Sequence, residues 1–96
     1  MPEPIALYGA TDCDDTARVR ARLVAFAIPF SETNIDHDAD AACFVRVVNG
    51  GYRSTPTLVF GAGRDKRVVT EPTDAELDQV LREAGYTLPA QATPEK

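Results

Sequence analysis

Apolar and polar positions along the chain form four short runs of strand character, alternating with three stretches of helical period. Ile5-Ala6-Leu7-Tyr8 is a continuous apolar run closed by Gly9, the pattern of a buried strand. Residues 11 to 27 carry Val19, Leu23, Phe26 and Ala27 on one face and predict a helix. It should stop before Ile28-Pro29, because proline disfavours helical backbone in the residue before it. Phe30 to Ile35 alternates, imperfectly, between Phe30, Glu32, Asn34 and Ser31, Thr33, Ile35, and predicts a second strand. Asp36-His37-Asp38 is a polar turn into a second helix, where Ala41, Phe44, Val45 and Val48 recur at i, i+3, i+4 and i+7. Asn49-Gly50-Gly51 ends that helix.

Pro56 to Phe60 predicts a third strand, with proline at its first position, where a missing N–H is tolerated. Gly61-Ala62-Gly63 is a turn, and Arg67 to Thr70 a short fourth strand, so 56–70 reads as a hairpin. Thr73 and Glu76 form a capping-box signature. They open a last helix carrying Leu77, Val80, Leu81 and Ala84, closed by Gly85. The order β-α-β-α-β-β-α predicts an α/β domain: a four-stranded mixed sheet flanked by three helices. Its first two strands should be parallel through a right-handed crossover. The domain should span residues 1–87, with 88–96 a flexible tail lacking any period.

Composition narrows the function classes. At 96 residues, 44% hydrophobic and 26% charged, the chain suits one soluble globular domain. No apolar run approaches the roughly 20 residues that cross a bilayer, and the M-P-E-P start lacks the basic opening of a signal peptide. A cytoplasmic address without membrane contact is therefore expected. The net charge of −5 argues against nucleic acid, which needs a basic face. Two cysteines, Cys13 and Cys43, with a single histidine, resemble neither a disulfide framework nor a zinc site. No metal site is expected.

Cys13 stands out by position. It follows the first strand in a polar loop, Thr11-Asp12-Cys13-Asp14-Asp15-Thr16, at or just before the first helix turn. Free N–H groups and the positive end of the helix dipole stabilise a thiolate there, and the thiolate is the nucleophile. Cys43 borders the apolar stripe of the second helix and reads as structural or incidental. His37 and the charged hairpin tip Arg64-Asp65-Lys66-Arg67 read as solvent-facing.

The run I-A-L-Y, the cysteine at a helix start, N-G-G-Y-R-S-T-P-T-L-V-F and E-P-T-D-A-E-L together resemble the glutaredoxin family over residues 4 to 86. The likeness is strongest to short bacterial forms of the mycoredoxin type, which use mycothiol instead of glutathione. The most specific part is N-G-G-x-R-x-x-P-T-L-V-F. The resemblance implies a thioredoxin/glutaredoxin fold and a thiol-disulfide oxidoreductase activity. It matches Cys13 to the nucleophile and Pro56 to a cis-proline facing it, with Thr55 offering its backbone to a bound thiol peptide. Arg53 is similar to the basic residue that meets a carboxylate of the small thiol. Thr73 and Asp74 match the helix-start pair beside the ligand's other end, and Tyr8 joins the expected thiol-binding set. Mycothiol or glutathione would be a co-substrate with no permanent cofactor, and protein mixed disulfides the partners of a monomeric bacterial protein.

Where the family usually reads C-P-Y-C or a relative, this chain reads C-D-D-T, with Thr16 replacing the second cysteine. A resolving thiol within the motif is thus missing, which leaves a single-thiol route. Thr16 can donate a hydroxyl hydrogen bond to the thiolate in its place. Asp14 and Asp15 oppose this. At 5–8 Å their repulsion is on the order of 1 kcal/mol, comparable to the pull of the helix terminus. Arg18 is spaced to neutralise part of it, and a thiol less acidic than in typical members is expected. Two other readings follow from the same features: a redox-inactive binding module, favoured by the aspartates, and an iron–sulfur carrier. The relatives that carry clusters usually read C-G-F-S, unlike this chain.

Overall fold

The computed structural model describes residues 2–89. Seven elements follow the predicted order: β1 (Ile5–Gly9), α1 (Asp14–Ala25), β2 (Ser31–Asn34), α2 (Ala39–Val48), β3 (Thr57–Phe60), β4 (Arg67–Thr70) and α3 (Asp74–Glu83). Short 3₁₀ turns, Ile35–His37 and Gly63–Asp65, lie before α2 and β4. The sheet order is β2-β1-β3-β4. β1 pairs with β2 in parallel, Leu7 opposite Glu32, and with β3 antiparallel, Leu7 opposite Leu58. β3 and β4 form the expected antiparallel hairpin.

Side-chain alternation divides the core in two. Ile5 and Leu7 of β1 point to one face, where they meet Leu58 and Phe60 of β3, Val19 and Leu23 of α1, and Leu77 and Leu81 of α3. On the opposite face α2 buries Ala41 and Val45 with Ile35, while Tyr8 and Phe44 pack against them. All four residues of β3 are buried, as befits an inner strand covered on both faces. Asn49 ties α2 to this strand. Its Nδ2 donates to Val45 O (2.8 Å) and Thr57 Oγ1 (3.1 Å), and its Oδ1 accepts from Thr70 Oγ1 (2.6 Å). That is a structural reason for asparagine at the head of the N-G-G-Y-R run.

The first helix is shorter at both ends than the predicted 11–27. Asp12 has φ of 59°, a left-handed turn, so helix geometry begins only after Cys13. At the other end Ala27 has φ of 56°. Ala27 N–H donates to Val24 O and Ile28 N–H to Leu23 O, a Schellman closure that stops the helix before the proline can act. Ala27 is consequently exposed instead of lying on the buried face, and Phe26 is only half-buried. Phe30 and Ile35 fall outside β2, since Ile35 already enters the 3₁₀ turn, and Pro56 precedes β3 instead of opening it. The capping box is present, with Thr73 Oγ1 accepting from Glu76 N–H and Glu76 Oε1 from Thr73 N–H.

Alanine at a left-handed helix stop bears a Cβ penalty that glycine lacks. Ala27→Gly is therefore expected to stabilise the fold by about 0.5–1 kcal/mol, after allowing for glycine's greater unfolded-state entropy. A thermal melt checks this; a lower midpoint would contradict it.

Leu88, the first residue of the tail expected over 88–96, is buried in the core, and residues 90–96 lie outside the described residues. Among the described residues no helix is long and apolar enough to cross a membrane.

Candidate active site

Cys13 is the N-cap of α1, with extended backbone (φ −98°, ψ 111°). Its carbonyl accepts the N–H of Ala17 as the first helical bond, which leaves its side chain outside the helix but against its first turn. The sulfur is half-buried and faces the loop before β3. There the Thr55–Pro56 peptide is cis and Pro56 is buried. Thr55 Oγ1 donates to Cys13 Sγ at 3.5 Å, and the thiol in turn points at Thr55 O at 3.8 Å.

Thr16 lies one turn on and is fully buried. Its hydroxyl has no hydrogen-bond partner among the described residues. Such a buried hydroxyl is costly unless something receives its proton. Gly9 makes room for it: a Cβ on Gly9 would stand 2.3 Å from Thr16 Cγ2. The absence of a side chain at residue 9 thus decides where the Thr16 hydroxyl sits.

The acidity of Cys13 follows from these neighbours. Burial pushes the thiol up and is the largest single influence. Against it act the hydroxyls of Thr16 and Thr55 and the amides of Thr16 and Asp15, all donors to a charged sulfur. Together they win, and the thiol is held below the ordinary cysteine value. Donors to the sulfur thus decide the direction of the shift, while Asp14 and Asp15 are solvent-exposed.

Other residues expected at the site are engaged within the chain. Arg53 pairs with Asp36. Asp74 accepts from Arg18 at 2.7 Å and lies 3.8 Å from Arg22, and Thr73 is occupied by its capping box. Arg18 spends its charge mainly on Asp74 and on Pro72 O (2.8 Å), with Asp15 more distant at 3.5 Å. Tyr8 stands on the α2 side. It packs on Phe44 with ring centroids 5.1 Å apart and lines a cavity of about 360 Å³ with Thr33, Asp38 and Asp40. Cys13, Thr16, Thr55 and Pro56 therefore form the compact group; Asp36 ties Arg53 to the loop before Cys13, and Arg18 ties Asp74 to α1. Cys43 is exposed on α2, the helix of the opposite sheet face.

Gly9 and Asp36 escape sequence reasoning. A glycine ending a strand and an aspartate in a polar turn are too common to signal a role, although Gly9 directly follows the β1 run.

A two-faced four-stranded sheet with a cysteine capping its first helix, opposite a cis-proline loop, defines a thioredoxin-fold protein with a thiol site. No protein-family model matches the chain. Two Mycobacterium tuberculosis proteins carrying the glutaredoxin name, MT3292 and Rv3198A, are each 34% identical over 77 residues, covering 80% of this chain and 88% of theirs. The chain belongs to the glutaredoxin family. Among solved structures, a variant of the thioredoxin-like protein BC3987 superposes with a TM-score of 0.69 at 26% identity, covering 83% of this chain and 95% of that one. Oxidised mitochondrial thioredoxin 3 of Saccharomyces cerevisiae has the same fold, with a TM-score of 0.57 at 18% identity over 85% of this chain and 78% of its own.

Proposed function

We propose that this protein is a single-thiol glutaredoxin that reduces protein mixed disulfides with a low-molecular-weight thiol, mycothiol or glutathione, through Cys13. The observation that carries this reading is the Cys13 environment: a sulfur on the N-cap residue of α1 whose threonine and amide donors hold its pKa down, with threonine at the fourth motif position.

The Cys13 thiolate attacks the small-thiol sulfur of a protein–S–S–R disulfide. A Cys13–S–S–R disulfide forms, the original disulfide breaks, and the protein thiolate leaves and takes a proton from solvent. A second R–SH, as thiolate, then attacks the Cys13-bound sulfur. It departs as R–S–S–R and returns Cys13 as a thiolate. Each turnover oxidises one free small thiol, the other half of R–S–S–R coming from the mixed disulfide itself, so no permanently bound cofactor and no second protein thiol are required. Thr16 and Thr55 stabilise the leaving Cys13 thiolate in the second step as they stabilise the attacking one in the first. Thr55 presents its backbone to the bound thiol, with Arg53 on one flank and Thr73 and Asp74 on the other. Such chemistry suits a reducing cytoplasm and a monomer.

Mass spectrometry of protein quenched during turnover tests the proposal. The expected species is one small thiol attached at Cys13, accumulating when the free small thiol is scarce and disappearing when it is added. Reduction of a mixed disulfide without any adduct on Cys13 would contradict it, as would no reduction with either thiol.

A further inference from the structure

Asp36 joins the two loops that meet at the sulfur. Its Oδ2 accepts the N–H of Thr11 at 2.8 Å, two residues before Cys13. Its Oδ1 accepts from the guanidinium of Arg53, two residues before Thr55. Asn34 completes the arrangement, its Nδ2 donating to Thr11 Oγ1 and its Oδ1 accepting from Asp36 N–H, both at 2.9 Å. Arg53, foremost among its neighbours, holds the Asp36 carboxyl below the usual carboxylate range, so this carboxylate is charged near neutrality. Arg18, five residues after Cys13 on α1, is committed to Asp74 and Pro72 O. What the loop shows to solvent around Cys13 is acidic: Asp12, Asp14 and Asp15 are all exposed.

We propose that Asp36 is a specificity-determining residue: by occupying Arg53 it turns the thiol groove against small thiols that carry carboxylates and toward thiols that are neutral or cationic beyond the sulfur. This rests on the reading of Cys13 as the nucleophile. An incoming carboxylate has to displace Asp36, which is also tethered to the Thr11 amide, and it meets the exposed carboxylates of Asp12 and Asp14 on the way, with Asp15 only partly offset by Arg18 at 3.5 Å. A neutral ligand meets neither obstacle. Of the two thiols considered, mycothiol bears no carboxylate, whereas glutathione bears two and a net negative charge.

The test is the rate at which Cys13 captures three symmetric disulfides that differ in charge: cystamine (dicationic), bis(2-hydroxyethyl) disulfide (neutral) and glutathione disulfide (dianionic). In each, a Cys13–S bond forms, the S–S bond breaks, and one half leaves as a thiolate. Adducts are counted on the Cys13 peptide by mass spectrometry, which separates them from adducts at exposed Cys43. Rates are normalised to those of the urea-unfolded chain. The expected order is cystamine, then the neutral disulfide, then glutathione disulfide, with only the last accelerated by added salt. Asp36→Asn keeps an acceptor for the Thr11 amide but releases Arg53. It should speed capture of glutathione disulfide about ten-fold and leave the neutral disulfide within two-fold. Arg53→Gln added to it should remove that gain. Equal acceleration of neutral and anionic disulfides, no effect of Asp36→Asn, or a wild-type protein indifferent to charge and salt would overturn the proposal. Capture of none of the three by Cys13 is a different failure, one that takes down the proposed nucleophile and this inference with it.

Discussion

Cys13→Ser is expected to lower mixed-disulfide reduction by at least about 10³-fold, to the rate of the small thiol alone, because a serine hydroxyl at neutral pH is neither ionised nor able to form the sulfur–sulfur intermediate. The replacement is nearly isosteric at a half-buried N-cap position, where serine is itself a favoured residue, so stability should change little. Cys43→Ser should retain full turnover within two-fold. Cys43 is exposed and belongs to the helix on the other sheet face, out of line with the Thr55 loop. Both variants are compared with the parent in one coupled assay, with thermal melts alongside. Equal loss in both, or residual turnover by Cys13→Ser above the uncatalysed rate, would remove Cys13 from the nucleophile role.

The largest effect on stability is expected away from the sulfur. Arg22 of α1 grips the fully buried Asp78 of α3 with two parallel bonds, Nε to Oδ1 at 2.8 Å and NH2 to Oδ2 at 2.7 Å. Its guanidinium also lies 5.1 Å from the Phe26 ring centroid, and Asp74 is close by at 3.8 Å. Removing Arg22 strands a carboxylate out of water, a loss of about 3–5 kcal/mol for a broken buried pair. A domain of this size holds on the order of 5–15 kcal/mol in all. Arg22→Ala should therefore lower the thermal midpoint by more than about 12 °C. Arg22→Met combined with Asp78→Leu should recover most of the loss, since an apolar pair of similar volume needs no compensation for buried charge. A single-variant loss below about 1 kcal/mol would show that water reaches Asp78 after all. The pair also fixes α1 against α3, whose start carries Thr73 and Asp74, so it links core stability to where those two residues stand relative to α1.

The division between what was legible in the chain and what was not follows the range of each interaction. All seven elements follow from local period and caps: the apolar β1 run, the α2 stripe of Ala41 and Val45, the capping box at Thr73. The ends of α1 do not. They are set by left-handed backbone at Asp12 and Ala27, residues with no glycine to announce it. Cys13, Thr16, Thr55 and Pro56 could be grouped from the family pattern, though not Gly9, whose missing side chain houses Thr16. Arg22 and Asp78 border their apolar stripes as ordinary charged neighbours, yet they meet across 56 residues of sequence. Asp36 and Arg53 meet across 17. Pairings of that range leave no periodic trace. That is why Arg53, Thr73 and Asp74 read from sequence as residues facing a ligand, while in the folded chain they have partners of their own.

The acidity of Cys13 is where the competing influences meet, and the pH dependence of its alkylation measures them together. Its reaction with iodoacetamide, followed on the Cys13 peptide in the folded and urea-unfolded chain, reports the fraction of thiolate at each pH. A lowered pKa puts more thiolate at pH 7, so the folded midpoint should fall below the unfolded one. Thr16→Val, which removes a donor and keeps the volume beside Gly9, should move it back up. A folded midpoint at or above that of the unfolded chain would mean that burial and the neighbouring aspartates prevail, and Cys13 would then be no nucleophile.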